Sequence, residues 1–258
     1  MSYKNKVALL VITTSNKRDN WNNIKDSYLY NVTLKTFLYT HDHDNKYKIY
    51  IGIDEDDRIF DKIYEQDEIK IFSKAFPHIE FEFIVYDNNI VPKGHHTVMW
   101  NILFEKAYKE GYEYFYQCGD DIIFKTKGWI NDSIKMLESK NNIGLTGPIN
   151  NNNRILTQSF VSRKHMEIFG WYFPIEIKNW CCDDWYNMVY HPNYLYPLNQ
   201  HYAENGGGAP RYDINNDKNF TGNNQIIFQN NTKKLRDFAQ NLANNHKLLI
   251  EKYLENKK

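Results

Sequence analysis

Lys6-Val7-Ala8-Leu9-Leu10-Val11-Ile12-Thr13-Thr14 has no polar side chain between its first residue and its last two. A strand with one wet face alternates polar and apolar residues. A run without alternation is buried on both faces and belongs to a sheet with helices above and below, the usual setting of parallel strands. The run is far shorter than the ~20 apolar residues of a membrane-spanning helix, and too short for the core of a secretory leader.

The residues that follow alternate strand and helix. Residues 22–41 place Ile24, Tyr28, Val32, Leu34, Phe37 and Leu38 at near-helical spacing, and the polar His41-Asp42-His43-Asp44 follows. Residues 48–54 read as a second strand, 58–76 as a helix stopped by Pro77, and 80–87 as a third strand. A helix over 94–109 ends at Gly111 and leads into a fourth strand over 112–116, which runs on to Gly119-Asp120-Asp121. Beyond it lie a helix over 129–139, a strand over 143–148, an aromatic-rich stretch over 160–190, a polar Gly-rich stretch over 199–231 and a helix over 232–254. The predicted fold class is α/β, a mostly parallel central sheet flanked by helices, in the single domain that 258 residues allow.

Lys plus Arg and Asp plus Glu number 32 each, so no global field draws the chain to nucleic acid or to an anionic membrane. An anionic ligand must be recognised locally. Aromatic residues reach 16%, but no basic stripe interleaves with them, which argues against nucleic-acid binding. Cys118, Cys181 and Cys182 form neither a disulfide framework nor a zinc-site spacing. Reduced thiols, with no leader and no membrane span, make a cytoplasmic protein the expectation.

In open α/β sheets ligands bind beyond the carboxyl ends of the strands. Gly119-Asp120-Asp121 stands at such an end, where adjacent carboxylates can hold a hard divalent cation whose other positions take diphosphate oxygens; a solvated acidic turn is the competing reading. Asp54 ends the second strand, placed to bond a ribose or base edge, and Asp56 or Asp57 suits a helix cap. Thr13, Thr14 and Arg18 follow the first strand, either as nucleotide contacts or as an ordinary helix entry. Trp180-Cys181-Cys182-Asp183-Asp184-Trp185 sets two carboxylates between tryptophans, the composition of a sugar site with a base; a capped helix with core tryptophans is the alternative. His201 precedes a glycine-rich loop, 204–211, that can close over a ligand and bring Arg211 to phosphate.

In their order over residues 6–212, these segments resemble the GT-A class of nucleotide-sugar-dependent glycosyltransferases, family 2-like members included. Gly119-Asp120-Asp121 resembles the DxD motif with glycine in its first place. Pro92-Lys93-Gly94, leading to Asn101, resembles the nucleotide-binding half, and Cys182-Asp183-Asp184-Trp185 the later acidic motif that supplies the base of inverting members. The resemblance implies a GT-A, Rossmann-like fold with a nucleotide-sugar half over about 1–124, an acceptor half over about 125–231 and a C-terminal helix over 232–258. It implies inverting transfer from a nucleotide-diphosphate sugar to a hydroxyl of a glycan, lipid or protein, with Mn²⁺ or Mg²⁺. Thr13, Thr14, Arg18, Asp54, Lys93, Asn101, Asp120 and Arg211 are then the donor site, and Asp121 with His201, in preference to His191, the metal ligands. Asp184, ahead of Asp183, is the implied base, in an acceptor pocket shaped by Trp180, Trp185 and Tyr186.

Two other readings compete. A sugar nucleotidyltransferase usually carries a glycine-rich phosphate loop after the first strand, and Thr13-Thr14-Ser15-Asn16-Lys17-Arg18 has no glycine. An inert nucleotide- or carbohydrate-binding module would keep the scaffold without turnover, and Gly119 is its best support.

Overall fold

β1 (Lys6–Thr13) is buried along all but its first residue, and its side chains alternate between two cores. Ala8, Leu10 and Ile12 enter one, Val7, Leu9 and Val11 the other, as a period of two requires. The computed structural model that shows this describes residues 3–207, 210–212 and 225–257, with 225–231 as backbone only.

β2 (Lys46–Asp54) and β4 (Tyr114–Cys118) lie parallel to β1 on its two sides, and β3 (Ile79–Tyr86) extends the parallel block beyond β2. With β5 (Ile122–Phe124), β6 (Leu145–Ile149), β7 (Ser159–Ser162) and β8 (Leu195–Asn205), the described residues form a mixed, mostly parallel sheet in the order β3-β2-β1-β4-β7-β6-β8-β5. β7 runs antiparallel to β4 and β6, and β5 antiparallel to β8. The β5, β7 and β8 strands are additions to the expected pattern. β8 falls partly in the polar stretch that begins at 199, of which residues 213–224 lie outside the described residues.

Helices cover both faces. A π-helical stretch, Leu29–Leu34, leads into α1 (Lys35–Thr40), and α2 (Ile63–Lys70) with the short α3 (Phe72–Ala75) replaces the single helix expected over 58–76. α4 (His96–Lys109) packs on the Leu10 face, and α5 (Trp129–Glu138) on the Leu9 face. α6 (Lys164–Phe169), α7 (Cys182–Tyr190) and α8 (Gln225–Glu255) pack with α4.

Three residues expected at the site are structural instead. Asn101 on α4 clamps the turn before α7: its Oδ1 accepts from the amides of Tyr172 (2.9 Å) and Phe173 (2.8 Å), and its Nδ2 donates to the Phe173 carbonyl at 2.8 Å. Trp185 is fully buried, packs on Phe169 and Trp171, and donates its indole N–H to His246 Nδ1 at 3.2 Å. Tyr186 is buried against Phe173. The inner face of α7 makes these two aromatics core, because a helix packed on a sheet must bury one side.

Asn101→Ala leaves two amides and a carbonyl without their partner, at a cost on the order of 2–3 kcal/mol. The expected result is a lower urea midpoint at unchanged slope, with the dissociation constant for a nucleoside diphosphate unmoved. A donor-site asparagine would shift that constant instead.

Candidate active site

β1, β2 and β4 end at one edge of the sheet, and the next residues of each carry polar side chains. At the centre is Asp120, 2% exposed. It accepts from Thr13 Oγ1 at 2.5 Å, and Arg211 grips both its oxygens, NH1 at 2.7 Å and NH2 at 2.6 Å. This bidentate fork is the strongest geometry an ion pair takes. The Arg211 guanidinium also lies 5.8 and 5.9 Å from the rings of Trp21 and Tyr28, which Arg18 approaches at 6.0 and 5.6 Å. Asn16 Nδ2 donates to the Arg211 carbonyl at 2.6 Å, so 210–212 is fastened across the ends of β1 and β4.

Tyr212 donates its hydroxyl to Asp54 Oδ2 and lies 3.3 Å from Thr14 Oγ1. The other Asp54 oxygen, Oδ1, is buried and has no hydrogen-bond partner among the described residues. Burial raises the Asp54 pKa, against the Tyr212 bond and the charge of Lys93. Lys93 itself is exposed and lines a shallow cavity of about 260 Å³ beside Asp54. Asp57 accepts from the Ser15 amide and hydroxyl (both 2.8 Å), Thr14 Oγ1 (2.9 Å) and the amides of Ile59 (3.0 Å) and Phe60 (2.9 Å). It closes the turn over residues 58–61, not the helix expected there, since α2 begins at Ile63 with Lys62 as its N-cap.

A cavity of about 220 Å³ opens here, walled by Thr13, Thr14, Arg18, Asp54, Asp120 and Arg211 over an apolar floor of Ile12, Met99 and Trp100. It shares Asp121, His96 and Tyr212 with a larger one of about 370 Å³, lined further by Gln158, Trp180, Cys181, Cys182 and Asp183. Asp121 therefore stands where the two meet. Burial and the neighbouring charge of Asp120 raise its pKa, while Arg211 opposes them. Gly119 makes room: a Cβ there would lie 2.9 Å from Asp121 Oδ1.

Among the described residues no third His, Cys, Asp or Glu converges on Asp121, and Arg211 engages both oxygens of Asp120. What remains is one half-buried carboxylate, that of Asp121, beside a cavity. That donor set fits a hard cation that takes most of its shell from phosphate oxygens and water. His201, expected as a ligand, is held elsewhere: Nε2 is 2.9 Å from Asp132 Oδ2 and Nδ1 is 3.1 Å from Thr126 Oγ1. It sits on β8 before the Glu204 and Asn205 positions that pair with β5, and lines neither cavity. His191 lines a separate cavity with Arg154 and Gln240.

Cys181 adopts a left-handed backbone, φ 65°, that turns the chain into α7. Asp183 then faces the larger cavity. Asp184, about 100° further round the helix, is buried and paired with Arg154, with Arg236 Nε at 3.3 Å. Burial and the charge of Asp184 push the Asp183 pKa up to about 6. A helix N-terminus favours a carboxylate by only about 0.3–1 kcal/mol, less than one pKa unit, so burial prevails.

No protein-family model matches the sequence, and no curated protein matches it. Solved structures do match in three dimensions. TarS of S. aureus aligns over 76% of this chain and 36% of its own, at TM-score 0.51 and 11% identity. TarS 1–349 in complex with UDP-GlcNAc aligns over 80% of this chain and 60% of its own, at TM-score 0.52 and 14% identity. The mannosyltransferase PcManGT of Pyrobaculum calidifontis, in complex with GDP-Man and Mn²⁺, aligns over 95% and 74%, at TM-score 0.53 and 10% identity. The chain has a GT-A-type glycosyltransferase fold.

Several residues lining the cavities have no role in the sequence reading, His96 among them although the His95-His96 pair stands near the candidate site segments. His96 opens α4, its ring 5.6 Å from that of Tyr212, and burial followed by the charges of Arg211 and His95 lowers its pKa to about 4. Trp100, one helical turn on, donates its indole N–H to the Leu10 carbonyl at 3.2 Å. The His95-His96 pair near a strand end was a signal for the first. Met99, Gln158 and Tyr212 carried none.

The Arg211–Asp120 fork sets the stability of this edge. Arg211→Gln leaves Asp120 a buried charge bonded to Thr13 alone, which costs on the order of 3 kcal/mol. The double variant with Asp120→Asn is expected to cost less than the sum of the two, with a coupling of about 1–3 kcal/mol in urea unfolding. Strict additivity would show that the pair does not form in solution.

Proposed function

We propose that the protein is a glycosyltransferase that moves a sugar from a nucleoside-diphosphate donor to an acceptor hydroxyl, with inversion. The observation that carries this reading is that Asp121, at the end of β4, and Asp183, at the start of α7, line one cavity that continues to the unpartnered oxygen of Asp54. The complexes of TarS 1–349 with UDP-GlcNAc and of PcManGT with GDP-Man support the class of donor.

In this reading residues 1–124 supply the donor half and 125–231 the acceptor half. The nucleoside occupies the smaller cavity, where Asp54 Oδ1 accepts from a ribose hydroxyl or a base N–H. Arg18 and Arg211 meet the diphosphate, a guanidinium being suited to phosphate oxygens. A divalent cation, Mn²⁺ or Mg²⁺, held by Asp121 supplies neutralisation of charge on the leaving diphosphate. Asp183, rather than Asp184, is the base, since Asp184 is committed to Arg154 and Arg236. Asp183 takes the proton of the acceptor hydroxyl as that oxygen bonds to the anomeric carbon. The bond from that carbon to the diphosphate oxygen breaks, and its electron pair leaves with the nucleoside diphosphate. Trp180, on the wall of the larger cavity, offers an aromatic face to the acceptor. The acceptor is a glycan, lipid or protein hydroxyl; no helix among the described residues is long and apolar enough to cross a membrane.

A second reading is a module that binds the nucleotide without turnover, favoured by the engagement of both Asp120 oxygens by Arg211.

Asp183→Asn separates the two. It is expected to leave binding of the nucleoside diphosphate unchanged and to lower kcat by about 10²–10⁴. In the parent protein, kcat/KM should rise about tenfold per pH unit at low pH and level off above about 6, where Asp183 is ionised. Nucleotide binding without turnover in the parent would establish the inert module, and full turnover by Asp183→Asn would overturn Asp183 as the base.

A further inference from the structure

The second cluster of chemically able side chains lies at the opposite end of the sheet, and nothing in the proposed reaction uses it. His41 and His43 occupy the turn between α1 and β2, and His78 immediately precedes β3. Their nearest ring nitrogens all lie within 4.8 Å of one another, the only such group of three His, Cys, Asp or Glu among the described residues. From there to Asp54 β2 runs eight residue steps, about 26 Å at the rise of a strand. The cleft and this cluster are separate sites.

We infer that His41, His43 and His78 form a three-histidine binding site for Zn²⁺. His41 Nδ1 is 2.9 Å from the Leu38 carbonyl, a bond that requires the proton on Nδ1 and leaves the lone pair of Nε2 directed away from it. Metal-bound imidazoles adopt this arrangement, in which a backbone carbonyl accepts from the far ring nitrogen and sets the tautomer and the ring orientation. The freed His41 Nε2 faces His78 Nε2 at 2.9 Å. Two imidazole nitrogens on a tetrahedral zinc, each about 2.05 Å from it, stand about 3.3 Å apart. The pair therefore needs only a small opening to admit the ion.

The surroundings hold two of the three rings in place. His41 is buried, stacked on Phe37 and edge-on to Tyr47, and His78 stacks on Tyr3. His43 is exposed, and its ring centroid lies 4.3 Å from that of His41 and 5.5 Å from that of His78. A rotation of its side chain closes the third side, and water or an outside ligand completes the four positions, as in zinc sites with three protein ligands. Imidazole donors suit zinc, copper, iron and nickel, and a tetrahedral set of three histidines with water in the fourth position is one that zinc adopts. An ion here would tie the turn after α1 to the start of β3.

The test is titration of this 258-residue chain with Zn²⁺ against a chromogenic chelator, with thermal unfolding alongside. The parent protein is expected to bind one equivalent and to unfold at a higher temperature with Zn²⁺ present, since an ion bound only to the folded state raises its stability. His43→Gln, at an exposed position, is expected to fold normally and to weaken Zn²⁺ binding at least about tenfold, as loss of even an outer-shell partner does. His78→Gln should do the same, and Asp121→Asn should leave Zn²⁺ affinity unchanged. An unaltered affinity in His43→Gln, or loss of binding in Asp121→Asn, would overturn the site and leave His41 and His78 as a plain hydrogen-bonded pair.

Discussion

Three parts of the chain meet at the two oxygens of Asp120. Thr13 brings the end of β1, the backbone of Asp120 continues β4, and Arg211 brings the 210–212 segment that walls both cavities. A carboxylate this buried is tolerable only when it is paired and its lone pairs are filled. The fork satisfies that demand. The same demand places Arg211 over Trp21 and Tyr28, beside Arg18, and Tyr212 against Asp54. The cleft thus follows from the burial of one charge at the end of a central strand.

The sequence disclosed the parts of this architecture that follow from short-range pattern. β1 reads as doubly buried because nothing polar interrupts it, whereas Asp57, expected to cap a helix, closes the turn that precedes α2. The strand-end positions of Asp54 and of Asp120 with Asp121 were legible for the same reason. What long-range pairing decides was not. β8 alternates polar side chains at the far side of the sheet, and its edge partner β5 is three residues long, so neither has a strong apolar signature. Asn101 has the composition of a ligand contact but serves two amides some 70 residues away, and His201 finds Asp132 across the sheet. The order of Asp183 and Asp184 was hardest, because a helix rotates successive residues by about 100°. Only the packing of α7 determines which of them faces the cavity.

The electrostatics of the cleft have a consistent sign. Asp54, Asp121 and Asp183 all have raised pKa values, and burial is the first cause in each. Each is a group whose charged form lacks sufficient donors or cations in the free protein. A ligand that supplies them is bound more tightly for that reason: a donor N–H or O–H at Asp54, positive charge at Asp121, a proton at Asp183. The three needs are different and lie in sequence along one cleft.

Arg211 completes the division of labour. A guanidinium has five N–H donors, and the fork with Asp120 uses two of them. In the proposed reading the remaining donors face a diphosphate without the ion pair opening, so that Asp120 would act by fixing Arg211 rather than by binding an ion. In that same reading Asp121 is the carboxylate left for a cation, and its Oδ1 lies 2.9 Å from where a Cβ at position 119 would fall. Glycine in the first place of the acidic motif is thus coupled to the role of the third. An aspartate at 119 would regain one carboxylate only by displacing the one already in place.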